Sequence, residues 1–182
     1  KLDKPIPLGY SNVGTVIQCG NKVKGFKVGD RVLSNGAHAE IVSVPNNLVS
    51  KIPDEVGDSE AVFTVLASIG LQGIRLSNPT LGEVFLVNGL GLIGLLTGQL
   101  LIQNGIKVLG IDPDYERCNL ARTLGIDALQ LTNISDPISW CKDKTNGNDI
   151  DAVIITASTK SNQPIDLSAK VCRKRGRIIL VG

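Results

Sequence analysis

Apolar residues follow two different regimes along this chain. Over Leu8 to Asn47 they form short groups punctuated by glycine turns, with no helical periodicity, which predicts a β-rich segment. Thr15-Val16-Ile17 reads as one strand, Gly29-Asp30 turns into Arg31-Val32-Leu33, and Ala39 to Val44 alternates before Pro45. Pro53-Asp54 breaks the pattern, and Asp58 to Leu76 reads as a helix with Asp58 as its N-cap. A domain boundary is expected between Val56 and Asp58, dividing the chain into 1–57 and 58–182.

Beyond that boundary, short apolar runs alternate with helical stretches, the pattern of a parallel, doubly wound α/β sheet. Val84-Phe85-Leu86-Val87 is wholly apolar, as a strand buried on both faces requires. Gly89-Leu90-Gly91-Leu92-Ile93-Gly94 follows and fits G-x-G-x-x-G. Leu92 to Asn104 is rich in helix formers and is closed by Gly105; Lys107 to Ile111 is a second strand, ending at Asp112, 18 residues after Gly94. A helix then runs over Pro113 to Leu124. Ala128 to Leu131 is a third strand, Ser135-Asp136-Pro137 opens another helix, and Ala152 to Ile155 and Ile178 to Val181 are the fourth and fifth strands.

Strand, glycines, helix, strand and acid in this register point to a dinucleotide site. Gly89 permits the tight turn, Gly91 lets a pyrophosphate approach the backbone, and Gly94 lets helix and strand pack closely. The helix N-terminus offers N–H groups, those of Leu92 and Ile93 among them, and a positive dipole end to phosphates. A carboxylate at Asp112 can accept hydrogen bonds from both ribose hydroxyls and would repel a 2′-phosphate, so NAD(H) is expected over NADP(H). Carboxyl ends of strands line the crevice of such a sheet, which adds Thr156, Ala157 and Ser158 after the fourth strand and Val181 at the end of the fifth.

Charge narrows the partners. The net charge of +2 is spread over interspersed residues, so no global field points to nucleic acid or membrane. Arg173-Lys174-Arg175 with Arg177 is the dense basic cluster, expected to complement the dipole of a preceding helix. No apolar stretch reaches the roughly 20 residues of a membrane span. Four cysteines are scattered without a C-x-x-C, which suits a reduced, cytoplasmic protein.

The two modules together resemble the medium-chain dehydrogenase/reductase superfamily. Gly9-Tyr10-Ser11-Asn12-Val13-Gly14-Thr15-Val16 occupies the place of that family's G-H-E-x-x-G-x-V, and Val28-Gly29-Asp30-Arg31-Val32 is similar to its V-G-D-x-V. The phrasing of Phe63 to Gly94 is most similar to a subgroup often fused to a second oxidoreductase-type domain in polysaccharide gene neighbourhoods. The resemblance implies part of a GroES-like domain over 1–57 and a Rossmann domain over 58–182, whose last strand would follow Gly182. The chain lacks methionine and is expected to be a piece of a larger protein. Arg117 falls where the family often has a basic residue near the adenosine ribose.

The chain departs from the zinc enzymes of this family at their metal ligands. Tyr10 and Ser11 stand where the resemblance puts the His-Glu pair that serves the metal, and neither is a good zinc ligand. Gly36-Ala37-His38-Ala39-Glu40 replaces the cysteine-rich loop of the structural zinc. His38, the single histidine, reads as a loop or strand-edge side chain, and no metal site is expected.

The implied activity is zinc-independent hydride transfer between NAD(H) and an alcohol or carbonyl, of a sugar-related kind. Tyr10 would donate a proton or pack against the cofactor, and Ser68 or Thr64 would approach the nicotinamide. An enoyl or quinone reductase, or a nucleotide-binding module without turnover, are the alternatives. The expected partners are the dinucleotide, a small-molecule substrate, and a second copy or a fused domain.

Overall fold

The computed structural model describes residues 9–181; Leu8 and Gly182, which bound elements expected from the sequence, lie outside them. The chain divides into two compact units, Lys1–Leu66 and Ala67–Gly182. No helix among the described residues is long and apolar enough to cross a membrane.

In the first unit, β1 (Tyr10–Thr15), β2 (Arg31–Ala37) and β3 (Val49–Lys51) form an antiparallel sheet in that order. β1 lies earlier than Thr15-Val16-Ile17: the ladder with β2 runs from Tyr10 opposite Ala37 to Thr15 opposite Arg31, and Ile17 is exposed. Ala39 to Val44 alternates but is not a strand, because no described strand offers it a ladder of backbone partners.

The helix expected over Asp58 to Leu76 is two helices, α1 (Asp58–Ala61) and α2 (Thr64–Ser77). Ser11 Oγ donates to the Val62 carbonyl at 2.5 Å, drawing that acceptor away at the break. Asp58 is not the N-cap. Gly57 holds that place, with Glu60 Oε2 accepting from its N–H at 3.2 Å, while Asp58 Oδ1 sits 2.6 Å from Arg31 Nη2. The contacts of Arg31 and Ser11 hold Asp58 and Val62 in the first unit. The compact units therefore divide at Leu66 and Ala67, whereas the sequence places a boundary between Val56 and Asp58.

The second unit is the doubly wound sheet. β4 (Val84–Asn88), β5 (Lys107–Asp112), β6 (Asp127–Gln130), β7 (Ile150–Ile155) and β8 (Cys172–Leu180) are all parallel, in the order β6-β5-β4-β7-β8. Between them run α3 (Leu92–Gln103), α4 (Tyr115–Thr123), α5 (Pro137–Lys144) and α6 (Gln163–Val171). Period-two alternation sends Phe85 and Val87 to the face covered by α2, α3 and α4, and Leu86 to the face covered by α5 and α6. All three side chains are fully buried, which explains a strand apolar at every position and stabilises by about 1.5–3 kcal/mol for each.

The basic cluster does not sit in a helix's last turn. α6 ends at Val171, and Arg173 to Arg177 lie within β8. Arg173 Nε bonds Asp151 Oδ1 at 2.7 Å, and Arg177 reaches Glu83 Oε1 at 2.5 Å and the Ser77 and Asn78 carbonyls at 2.8 and 3.0 Å. Arg177 also stacks on Phe85, 5.5 Å from the ring centre. The cluster thus ties the C-terminus of α2 and the start of β4 to β8.

Candidate functional site

The chain runs outward from β4 through β5 to β6 and then returns to β7 on the other side of β4. The carboxyl ends of β4 and β7 therefore flank a switch point, where crevices in such sheets lie. Gly89 to Gly94 leaves β4 there and Thr156 to Ser158 leaves β7.

Steric contacts dictate glycine at two positions of the β4 loop. Gly89 has φ +104°, and a Cβ on it would stand 2.6 Å from the Ala157 nitrogen. A Cβ on Gly94 would land on the Gly89 carbonyl and 2.8 Å from Thr156 Oγ1. Gly91 differs: a Cβ there would meet nothing within 4 Å, so the space above it is open. Gly91 is the N-cap of α3 without a side-chain cap, and the N–H groups of Leu92, Ile93 and Gly94 have no acceptor within the helix.

Asp112 ends β5 and is 3% exposed. Its Oδ2 accepts from the Leu90 N–H at 2.7 Å and its Oδ1 from the Asp114 N–H at 2.8 Å. An ionised carboxylate has about four acceptor sites, so two remain for other donors. Arg117 Nη1 lies 3.6 Å from Asp112 Oδ2, with its side chain 55% exposed. Its backbone N–H is held by Asp114, the N-cap of α4.

The Thr156 hydroxyl donates to the Gly89 carbonyl at 2.6 Å. That bond ties it to the loop, a commitment invisible in sequence. Ser158 is exposed just beyond. Val181 bonds through its N–H to the Ile155 carbonyl at 2.9 Å, and its side chain packs on Gly73 of α2. The structure thus brings the loop, Asp112, Arg117, Thr156, Ala157 and Ser158 to one end of the sheet. Ser68 is exposed on the second turn of α2.

Tyr10, Ser11 and His38 line a cleft of about 530 Å³ in the first unit, with walls from Gly9, Val62, Phe63 and Leu66. His38, expected as a loop or strand-edge side chain, directly follows β2 and is in this wall. A single histidine between two alanines gave no signal of it, because the neighbour its ring packs against, Gly9, is distant in sequence. The described donors here are one imidazole, one phenol and one hydroxyl. Among the described residues no three His, Cys, Asp or Glu side chains gather as metal ligands.

Comparison with known proteins agrees with this architecture. The family described as alcohol dehydrogenase GroES-like domain matches residues 1–54, and that described as zinc-binding dehydrogenase matches residues 93–182. The chain is 36% identical to D-guloside 3-dehydrogenase of Escherichia coli strain K12 over 124 residues, 66% of this chain and 35% of that protein. It superposes with a TM-score of 0.85 on alcohol dehydrogenase TADH of Thermus sp. ATN1, at 23% identity, covering 93% of this chain and 60% of that one. A mycobacterial protein solved in complex with NADPH gives a TM-score of 0.78 at 27% identity, covering 97% and 57%. The chain thus spans about a third of the length of the guloside dehydrogenase and under two thirds of either solved structure. Its GroES-like first unit and doubly wound second unit place it, on both sequence and fold, in the medium-chain dehydrogenase/reductase superfamily of oxidoreductases, to which the chain belongs.

Proposed function

We propose that the protein containing this chain is a zinc-independent oxidoreductase that moves hydride between NAD(H) and the alcohol or carbonyl of a sugar-related substrate in the cytoplasm. One observation carries the cofactor side: Asp112, at the end of β5, closes with its carboxylate on the Leu90 N–H of the glycine loop. A pyrophosphate has open access at Gly91 and free N–H groups at Leu92 and Ile93. The two remaining acceptor sites of Asp112 suit the adenosine ribose hydroxyls, and its charge disfavours a 2′-phosphate. Arg117 borders the same ribose, while Ala157, Ser158 and Val181 offer backbone groups further along the crevice. The bound dinucleotide supplies the hydride chemistry; the protein's part is to orient it and to manage the substrate's proton.

Tyr10 and Ser68 are assigned to the substrate side, Tyr10 as a phenol facing the cleft and Ser68 as a hydroxyl toward the nicotinamide. The sugar-related substrate rests on the likeness to the guloside dehydrogenase and on the resemblance to oxidoreductases of polysaccharide gene clusters. Zinc independence rests on the hydroxyls at positions 10 and 11, of which Ser11 is already hydrogen-bonded to Val62. The domains of 1–57 and 58–182 would act as catalytic and cofactor halves. Calorimetric titration of the full-length protein with NADH and NADPH tests the assignment: tighter NADH is expected, and equal or reversed affinities would overturn it.

A further inference from the structure

We propose that Thr156 is a positioning residue of the dinucleotide site, its hydroxyl orienting the one peptide group of the glycine loop that Asp112 holds from the opposite side. The inference rests on the NAD(H)-binding reading above and deepens it. The Gly89 carbonyl and the Leu90 N–H belong to the same peptide group. Thr156 Oγ1 donates to that carbonyl at 2.6 Å, and Asp112 Oδ2 accepts from that N–H at 2.7 Å. The peptide is trans, so its C=O and N–H point in opposite directions and the two side chains grip one plane from its two sides. They come from the two strands that flank β4: Asp112 ends β5 and Thr156 follows β7.

Backbone ladders put both groups in place. The Thr156 N–H donates to the Asn88 carbonyl and the Gly89 N–H to the Ile111 carbonyl, each at 2.9 Å, so the parallel pairing of β4 runs on to the loop on either side. The Thr156 hydroxyl has a single proton, and its other acceptor, the Asn88 carbonyl, is more distant at 3.4 Å. The same hydroxyl lies against the first turn of α3, where a Cβ on Gly94 would stand 2.8 Å from it. Leu90 is anchored as well. Its side chain is fully buried over Gly110 of β5, where a Cβ would meet Leu90 Cδ2 at 2.7 Å.

The peptide needs this hold because one side of it is glycine. Gly89, at φ +104°, has no side chain to restrain rotation of the peptide that follows it. A turn of that plane would take the Leu90 N–H off Asp112 and redirect Gly91 and the N–H groups of Leu92 and Ile93 behind it. Thr156 thus sets the phosphate-facing groups through the peptide, and Asp112 sets them from the ribose end. Loss of either grip frees the same plane, so the two residues act as a unit.

The test uses full-length protein, titrated calorimetrically with NADH and with ADP-ribose, which carries the pyrophosphate and adenosine ribose but no nicotinamide. T156V keeps the side-chain shape without the hydroxyl and is expected to weaken both ligands about tenfold, since the Gly89 carbonyl loses its donor. T156S, which retains the hydroxyl, should stay within about threefold of wild type. Should T156V fail to fold, as read by circular dichroism, T156C supplies a weak S–H donor and should bind both ligands less tightly than T156S. Adding T156V to D112S should cost less than about threefold further, because both act on one plane. Wild-type affinity in T156V, equal losses in T156S and T156V, T156C binding as tightly as T156S, or losses that multiply fully in the double variant would overturn the Thr156 assignment alone. A loss for NADH without one for ADP-ribose would also overturn it, placing Thr156 at the nicotinamide. If wild-type protein binds neither ligand, the dinucleotide reading falls and this inference with it.

Discussion

The Asp112 carboxylate accepts from the Leu90 N–H at 2.7 Å across 22 residues of sequence, joining the end of β5 to the glycine loop after β4. The residue proposed to select the cofactor therefore also shapes the loop that receives its phosphates. D112S should narrow the NADH-over-NADPH preference, because the charge is gone, while weakening both cofactors. D112N should do more harm than its small size change suggests. Its amide nitrogen must oppose either the Leu90 or the Asp114 N–H, leaving a buried donor unmatched at a cost of about 1–3 kcal/mol. Thermal midpoints of the cofactor-free variants check the latch, and a D112N midpoint equal to wild type would refute it.

Gly91 and Gly94 should behave as opposites. G94A drives a methyl into the Gly89 carbonyl and Thr156, so both stability and NADH affinity should fall, the latter at least tenfold. G91A meets open space, so its thermal midpoint should stay within about 1 °C of wild type, under the roughly 2–4 °C shift of a 1 kcal/mol change in a chain of this size. Its NADH affinity should still drop, because the methyl occupies the phosphate's approach. Parallel melting and titration experiments separate the two effects.

Arg177 is expected to matter for folding alone. R177A removes the nearer of the two arginines on Glu83, leaving Arg173 at 3.6 Å, and the cap on the Ser77 and Asn78 carbonyls. With the arginine 26% exposed and Glu83 12%, a loss of about 1–3 kcal/mol is expected, lower than for a fully buried pair. R177K should recover only part, since one ammonium cannot bridge both carbonyls and the carboxylate. Urea unfolding of the three proteins gives the ranking.

Burial pushes the Cys141 thiol from its ordinary 9.0 up to about 12, and the Cys118 and Cys172 thiols also upward. The unfolded thiols lose their protons first, so the unfolded state binds fewer protons above that ordinary value and stability falls as pH rises from about 9 toward 12. C141A should flatten part of this alkaline decline. Cys141, 2% exposed, should also resist iodoacetamide at pH 8 until the protein is unfolded, which mass spectrometry of the digested protein reads directly.

Elemental analysis of tag-free, full-length protein is expected to find far less than one zinc per chain. A stoichiometric, tightly held zinc would show that residues beyond Tyr10, Ser11 and His38 complete a metal site.

Local chemistry accounts for the features legible along the chain. A strand apolar at every position has to be covered on both faces, so Val84 to Val87 already implied a parallel sheet with helices on each side. Spacing alone put Gly89, Gly94 and Asp112 in one βαβ unit. Asp136 before Pro137 marked a helix start, and its carboxylate does cap the Ile138 and Ser139 N–H groups. Other features were decided only by partners remote in sequence. Ala39 to Val44 alternates like a strand but lacks a ladder. Ser11 meets the break in what looked like one helix, Arg31 takes Asp58 from the N-cap place, and Glu83 and Asp151 pair with Arg173 and Arg177 within a strand. Thr156 gives its hydroxyl to the glycine loop, and Gly9 admits the His38 ring to the cleft. Periodicity and propensity act within a few residues, whereas hydrogen-bond and steric partners separated by up to 100 positions exist only once the chain has folded.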